Sequence, residues 1–308
     1  MTNHIIIGAD IGGSHIISAG VDINKHEIIP ETSFSSKVNN KDSKEGIFES
    51  WSSVILKTME ILPDSVNYKI GFAMPGPFHY KTGLAMFETN DKYENLYNVN
   101  VANELEKYFK NKKVEFRFIN DATAFGVGVS CMEEAKNCTK VIAITLGTGF
   151  GSTFIKNGIP QVNSNDVPTG GCLWDKPFKD GMADDYFSTR WFIKRYEEVA
   201  KQKMKGVKEI VSENNTYSKQ VFEEFSTNLA EFMIPYLNTY KPDLIVLGGN
   251  ISNASEQFLS SLKSKLITKG HDIDFAISDL MEDAAIVGAA KLFEPDFWNQ
   301  IKNDLPNL

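Results

Sequence analysis

Residues 5–22, IIIGADIGGSHIISAGVD, set an apolar run against a Gly-Gly break and then resume it. The two runs read as strands joined by a tight turn at Gly12 and Gly13, where glycine admits backbone conformations closed to other residues. A third β-rich piece follows near 27–34. Then comes GIFESWSSVILKTMEIL, in which Phe48, Trp51, Val54, Ile55 and Met59 recur at helical spacing. The strand KIGFAM ends in Pro75-Gly76-Pro77. The order is then echoed by strand VEFRFIN, helix DATAFGVGVSCM, strand VIAITLG and, after a second glycine turn, strand GSTFIKNG. A long irregular stretch over 157–181 leads to helices near 183–200 and 218–240. Strand DLIVLG, loop Gly248-Gly249-Asn250 and helix DAAIVGAAKLF complete the pattern. Two glycine-turn hairpins feeding two mixed sheets predict two α/β domains with a cleft between them. The expected boundaries are 1–118, 119–290 and a C-terminal helix over 291–308 packing back on the N-terminal domain.

Composition narrows the function classes. The chain has 308 residues with ordinary apolar and charged fractions, enough for one or two real cores. Its net charge is −8, and KSKLITKGH is too sparse to make a basic face, so nucleic acid is not an expected partner. No apolar stretch approaches bilayer length and no secretory leader pattern opens the chain; no membrane association and a cytoplasmic location are expected. Cys131, Cys138 and Cys172 are odd in number and have no zinc-like spacing, which fits reduced thiols.

Three glycine-rich turns stand at strand ends: Asp10-Ile-Gly12-Gly13-Ser14, Leu146-Gly147-Thr148-Gly149-Phe-Gly151 and Leu247-Gly248-Gly249-Asn250. Such turns bring backbone N–H groups close to a ligand, which is how phosphates are cradled. Hydroxyls on Ser14 and Thr148 can add donors, and Asp10 is suited to holding a magnesium ion. Each turn alone is more often a plain hairpin than a phosphate loop. Neither G-x-x-x-x-G-K-[ST] nor G-x-G-x-x-G occurs, which disfavours a Walker-type NTPase and a Rossmann binder. Asp121 could take the proton of an acceptor hydroxyl during phosphoryl transfer. Locally, Asn120 and Asp121 are just as readable as helix caps.

The order of these motifs, with Pro-Gly-Pro at 75–77, Asn120-Asp121-Ala122 and Val-Gly-Ala-Ala at 287–290, resembles the ROK (repressor, open reading frame, kinase) family of sugar kinases. The resemblance runs from Ile5 to about Phe293. It implies a two-domain actin-like ATPase (ribonuclease H-like) α/β fold with an interdomain cleft, and ATP-dependent phosphorylation of a hexose or N-acetylhexosamine. On it, Asp10, Gly12, Gly13 and Ser14 match the first phosphate motif, with Ser where Thr is usual. Gly147, Thr148, Gly149 and Gly151 match the second, and Gly248, Gly249 and Asn250 match the turn beside the adenosine. Gly76, Asn120 and Asp121 fall on the sugar side, with Asp121 as the base. ATP and Mg²⁺, a small sugar substrate and a homodimer are the further implications.

The departures are as informative. Many family members carry a Gly-Glu-x-Gly-His segment and a Cys-rich zinc cluster; here no histidine stands between His79 and His271, and Cys172 is alone in that interval. No zinc is therefore expected. Asp184, in ADDYFS, resembles the position of a family Glu that contacts sugar, although Asp184 and Asp185 are also ordinary first-turn helix acids. Three rivals remain: a sugar-binding regulator, for which no DNA-binding module precedes Asp10; another ATPase of the superfamily; and a degenerate kinase that binds sugar without turnover.

Overall fold

The computed structural model describes residues 5–63, 67–88, 92–110, 112–278 and 280–305. It comprises two compact units, Met1–Met132 with Leu280–Leu308, and Glu133–Asp279. Changeovers at 132/133 and 279/280 differ from the boundaries expected near 118 and 290. Two helices, Asp121–Val129 and Met281–Ala290, account for the difference: each packs within the first unit.

In the first unit five strands run in the order Glu27–Ile28, His15–Asp22, Ile5–Ile11, Asn67–Met74, Lys113–Asn120, and Phe34–Lys37 also pairs with His15–Asp22. Ile5–Ile11, Asn67–Met74 and Lys113–Asn120 are parallel, with Asp10 opposite Ala73 and Met74 opposite Asn120. Their C-terminal ends therefore bring Asp10, Pro75-Gly76 and Asn120-Asp121 to one edge of the sheet, where α/β folds bind ligands. The β-rich piece expected near 27–34 forms two short strands. Pro30 lacks an N–H, and Thr32 turns the chain, its hydroxyl donating to the Ile29 carbonyl at 2.6 Å and accepting from Gly20 N–H at 3.0 Å.

Four glycines seat the Met281–Ala290 helix. A methyl group at Gly8 would meet the Ile286 carbonyl oxygen at 2.2 Å, and one at Gly71 the Ala289 oxygen at 2.0 Å. At Gly128 and Gly288 the contacts would be 1.9 Å, to Ala284 and Ala124 oxygens. The helix thus lies backbone-close to both the sheet and the Asp121–Val129 helix. The Lys44–Ile61 helix is capped by Ser43, which accepts from Gly46 N–H at 3.1 Å, and it buries Phe48, Trp51, Val54, Ile55 and Met59 as its spacing predicts.

The second unit holds a sheet in the order Ile159–Pro160, Phe150–Lys156, Lys140–Leu146, Leu244–Gly248, Asp274–Ile277. Its core is aromatic: Phe150, Phe154, Phe187, Phe192, Phe225, Phe232 and Tyr240 are buried together. The helix expected over 183–200 is broken at Phe187 and Ser188 into Ala183–Tyr186 and Thr189–Ala200. A helix over Val207–Glu213 and a hairpin pairing Pro177–Phe178 with Gly181–Met182 were not expected. Among the described residues no helix is long and apolar enough to cross a membrane.

Candidate active site

The first glycine turn closes with Gly12 N–H donating to the His15 carbonyl at 3.0 Å. Gly12 and Gly13 keep ordinary φ values, so closeness rather than left-handed backbone explains them. A methyl group on Gly12 would lie 2.4 Å from the His15 ring, and one on Gly13 would lie 3.2 Å from Lys92 Cε. The next three carbonyls are all tied back into the protein. Tyr93 Oη donates to Gly12 O at 2.6 Å, Asn40 Nδ2 donates to Gly13 O, and Val38 N–H donates to Ser14 O at 2.8 Å. In a trans peptide the following N–H points opposite its carbonyl. Pinning the Gly12 and Gly13 carbonyls therefore aims the Gly13 and Ser14 N–H groups the other way, as an anion cradle requires.

Asn120, not Asp121, caps the helix: its Oδ1 accepts from Thr123 N–H at 3.1 Å. Its amide nitrogen donates to Asp121 Oδ1 at 2.9 Å and to Tyr80 Oη at 3.2 Å, while Tyr80 donates to the Met74 carbonyl. Asp121 Oδ1 also accepts from Ala122 N–H at 2.8 Å. Burial pushes the Asp121 carboxyl above the usual range, although the Ala122 N–H, the charge of Lys92 and the Asn120 amide oppose the shift. Asp121 is closely surrounded yet keeps partial solvent access. Asp10 is buried, and its carboxyl is pushed up to about 8, first by burial, then by the charges of Asp121 and Glu282. His15 opposes that shift. Its Nε2 makes a close contact, 2.6 Å, with Glu282 Oε1. The contact holds His15 above, and Glu282 below, their usual ranges. His15 is half-buried over Gly12. Gly76 is exposed, and its peptide to Pro77 is cis.

In the second unit the Gly147–Gly149 turn and the Gly248–Asn250 turn meet. Gly248 pairs with Thr145, and Ile251 N–H donates to Leu146 O at 2.9 Å. Gly249 is the one motif glycine with a positive φ, 83°, and a methyl group there would strike Leu146 O at 2.5 Å. Carbonyls are again tied back: Thr189 N–H and Oγ1 both donate to Gly147 O, at 2.8 and 2.9 Å, and Arg190 Nη1 donates to Thr148 O at 3.2 Å. Gly147 has ordinary φ, and a methyl group on it would meet nothing within 4 Å. No neighbour in the fold explains a glycine there. Thr148 and Asn250 are exposed, and Gly151 pairs with Thr145 in the following strand. Asp184 is committed within the protein: Oδ1 accepts from Phe150 N–H at 2.7 Å, and Oδ2 pairs with Arg190 Nη2 at 2.5 Å. A sugar contact by this carboxylate would have to share or displace those bonds.

Among the described residues no three His, Cys, Asp or Glu side chains cluster to hold a metal. Magnesium needs no such cage, because it commonly takes one or two carboxylates plus substrate phosphates. A buried carboxyl crowded by two other acids, as Asp10 is, fits that role chemically. Tyr93, Asn40, Tyr80, Arg190 and Lys92 were not found from the sequence. No spacing signal marks them, since each meets its loop or strand end from far along the chain. A cavity of about 840 Å³ in the second unit, lined by Lys179, Tyr186, Trp191 and Arg195 among others, contains none of the glycine-turn residues.

The family model that matches is described as ROK family, over residues 6–295. A glucokinase from Thermotoga maritima is 24% identical, over 94% of this chain and 97% of that protein. An N-acetyl-D-glucosamine kinase from Mannheimia succiniciproducens is 27% identical, over 81% and 85%. In structure, a ROK family glucokinase from Streptomyces griseus, solved with glucose and AMPPNP, aligns with a TM-score of 0.71 at 20% identity, covering 94% of this chain and 98% of that one. Its likeness establishes the actin-like two-domain ATPase fold. With its family model matched over nearly its whole length, the chain belongs to the ROK family.

Proposed function

We propose that the protein transfers the terminal phosphoryl group of ATP to a hydroxyl of a hexose or N-acetylhexosamine, with Asp121 as general base. The observation that carries this is the first turn, whose carbonyls are tied back so that Gly13 and Ser14 N–H face away from them, at the same sheet edge as Asp121. Kinase relatives of both sugar classes support it.

On this reading the acceptor hydroxyl donates to Asp121, whose Oδ1 is held by Asn120 and Ala122, leaving Oδ2 for the sugar. As the new O–P bond forms and the bond to the bridging oxygen of ADP breaks, the hydroxyl proton passes to the carboxylate. The opposing pulls on Asp121, burial against Lys92 and two donors, keep it a competent base. Gly13 and Ser14 orient the phosphates through their N–H groups and the Ser14 hydroxyl, with Gly12 closing the turn beside them, and Gly147, Thr148, Gly149 and Gly151 form the second phosphate turn, to which Thr148 adds a hydroxyl. Gly248, Gly249 and Asn250 flank the adenosine, and Gly76 and Asn120 flank the sugar. Asp10 would hold magnesium, which when bound neutralises phosphate charge. Zinc has no part in the scheme.

One observation favours a second reading, sugar binding without turnover: no histidine lies between 79 and 271, and Asp184 is engaged by Phe150 N–H and Arg190. A coupled assay of ADP release with Mg·ATP and a panel of hexoses and N-acetylhexosamines separates the two. Sugar-dependent ADP release supports the kinase. Sugar binding by calorimetry with no ADP release from any member of the panel would sink it.

A further inference from the structure

Lys92 precedes Tyr93, a residue with left-handed backbone, φ 54°, whose N–H donates to Asn40 O at 3.0 Å. Tyr93 is fully buried, edge-on to Trp51 with ring centroids 5.3 Å apart, and its hydroxyl holds Gly12 O. Asn40 in turn holds Gly13 O. The backbone carrying Lys92 is therefore fixed to the same two peptides that form the first turn. Its side chain lies along Gly13: a methyl group there would be 3.2 Å from Cε, 3.5 Å from Cδ and 3.6 Å from Nζ. The lysine stem thus packs close over Gly13. The same ammonium is close enough to Asp121 to act on its charge. One cation thus stands by both the turn and the carboxylate.

We propose that Lys92 is a further catalytic residue, whose ammonium contacts the oxygens of the phosphoryl group in transit to the acceptor hydroxyl. The proposal rests on the kinase reading above. Charge spreads over those oxygens in the transition state, and a fixed cation aimed at them is worth far more inside a protein than in water. Lys92 gives up no proton: the acceptor O–P bond forms, the bond to the bridging oxygen breaks with its electron pair leaving on ADP, and the hydroxyl proton goes to Asp121. Lysine serves here as a compact point charge, reached by a long apolar stem lying on Gly13.

The test uses the full chain as Lys92→Met, with Lys92→Gln as a second variant and Lys92→Arg as the charge-preserving one. Turnover is measured on the sugar the parent uses, together with sugar, Mg·ATP and Mg·ADP affinities by calorimetry and the melting temperature. Loss of one transition-state donor lowers kcat by about 10²- to 10³-fold. Sugar affinity and melting temperature should hold, Lys92→Arg should recover part of kcat, and affinity should fall more for ATP than for ADP. Near-parental kcat in Lys92→Met, or an equal loss for ATP and ADP, would overturn the proposal. A parent that phosphorylates no sugar would remove the kinase reading instead, and the ATP-to-ADP comparison would still decide whether Lys92 meets the terminal phosphoryl group.

Discussion

The two glycine turns solve one problem with different materials. At Gly12–Gly13 the carbonyls are held by Tyr93 and Asn40, neutral donors, and Tyr93 is fully buried against Trp51. At Gly147–Thr148 they are held by Thr189 and by Arg190, whose side chain is 61% exposed and is fixed by Asp184. The first turn is set by its core; the second is set partly by Thr189 and partly by an ion pair near water. A turn braced from the core keeps its shape at the cost of burying charge, seen in the carboxyl of Asp10, raised first by burial and then by neighbouring acids. A turn braced at the surface carries little buried charge and is easier to shift.

If the first turn's side of the sheet carries the chemistry, the largest effect comes from Asp121→Asn. Its kcat should fall at least ~10²-fold, the worth of a positioned base, with sugar affinity changed less. Near-parental turnover would assign the base elsewhere. The next effect separates ligand approach from folding at the second turn. Gly147→Ala should leave the melting temperature unchanged, because the methyl group meets nothing, yet lower kcat/KM for ATP by about 10-fold or more. If the kinetics are also unchanged, Gly147 faces no phosphate.

Bracing itself is compared by Tyr93→Phe and Asp184→Ala. The first leaves the Gly12 carbonyl without its buried partner and should cost about 1–3 kcal/mol by denaturant unfolding. The second breaks a partly exposed ion pair, worth about 1 kcal/mol or less, and one bond to Phe150 N–H. Asp184→Ala should raise the KM for ATP and leave the ranking of sugars unchanged. A changed ranking would put Asp184 at the sugar site. The smallest effect is in pH. With its folded-state pKa at about 8 against an ordinary 3.8, ionised Asp10 destabilises the ligand-free protein increasingly as pH rises between those values. Asp10→Asn should therefore gain in melting temperature over the parent at pH 8 and lose that gain toward pH 4. A gap that does not change with pH would mean that Asp10 titrates normally.

Much of this was legible from residue order. The Gly-Gly breaks at strand ends, the helical spacing from Phe48 to Met59 and the Asn120-Asp121 step after a strand are local signals, and the elements formed where those signals lie. Of the two reasons the sequence offers for the turn glycines, a positive φ applies only to Gly249, while Gly12 and Gly13 lie close against His15 and Lys92. Contacts across long sequence separations left no local trace. Tyr93 reaches Gly12, and Asp184 reaches Phe150, through folding alone. The split of 183–200 was equally hidden, because Phe187 turns into the aromatic core where an unbroken helix would carry it elsewhere.

The glycine-close seating of the Met281–Ala290 helix has a consequence for synthesis on the ribosome. That helix fills the heart of the first unit, yet it is encoded some 150 residues after the helix that it touches. The second unit, Glu133–Asp279, is contiguous and emerges whole before the first unit can close. Vectorial synthesis, in which units generally fold as they emerge, then inverts the usual N-terminal-first order. The strands from Ile5 to Asn120 must wait beside an open groove floored by Gly8 and Gly71. A nascent chain stalled with residue 279 just outside the exit tunnel should resist protease within 133–279 and be cut within the first 132 residues.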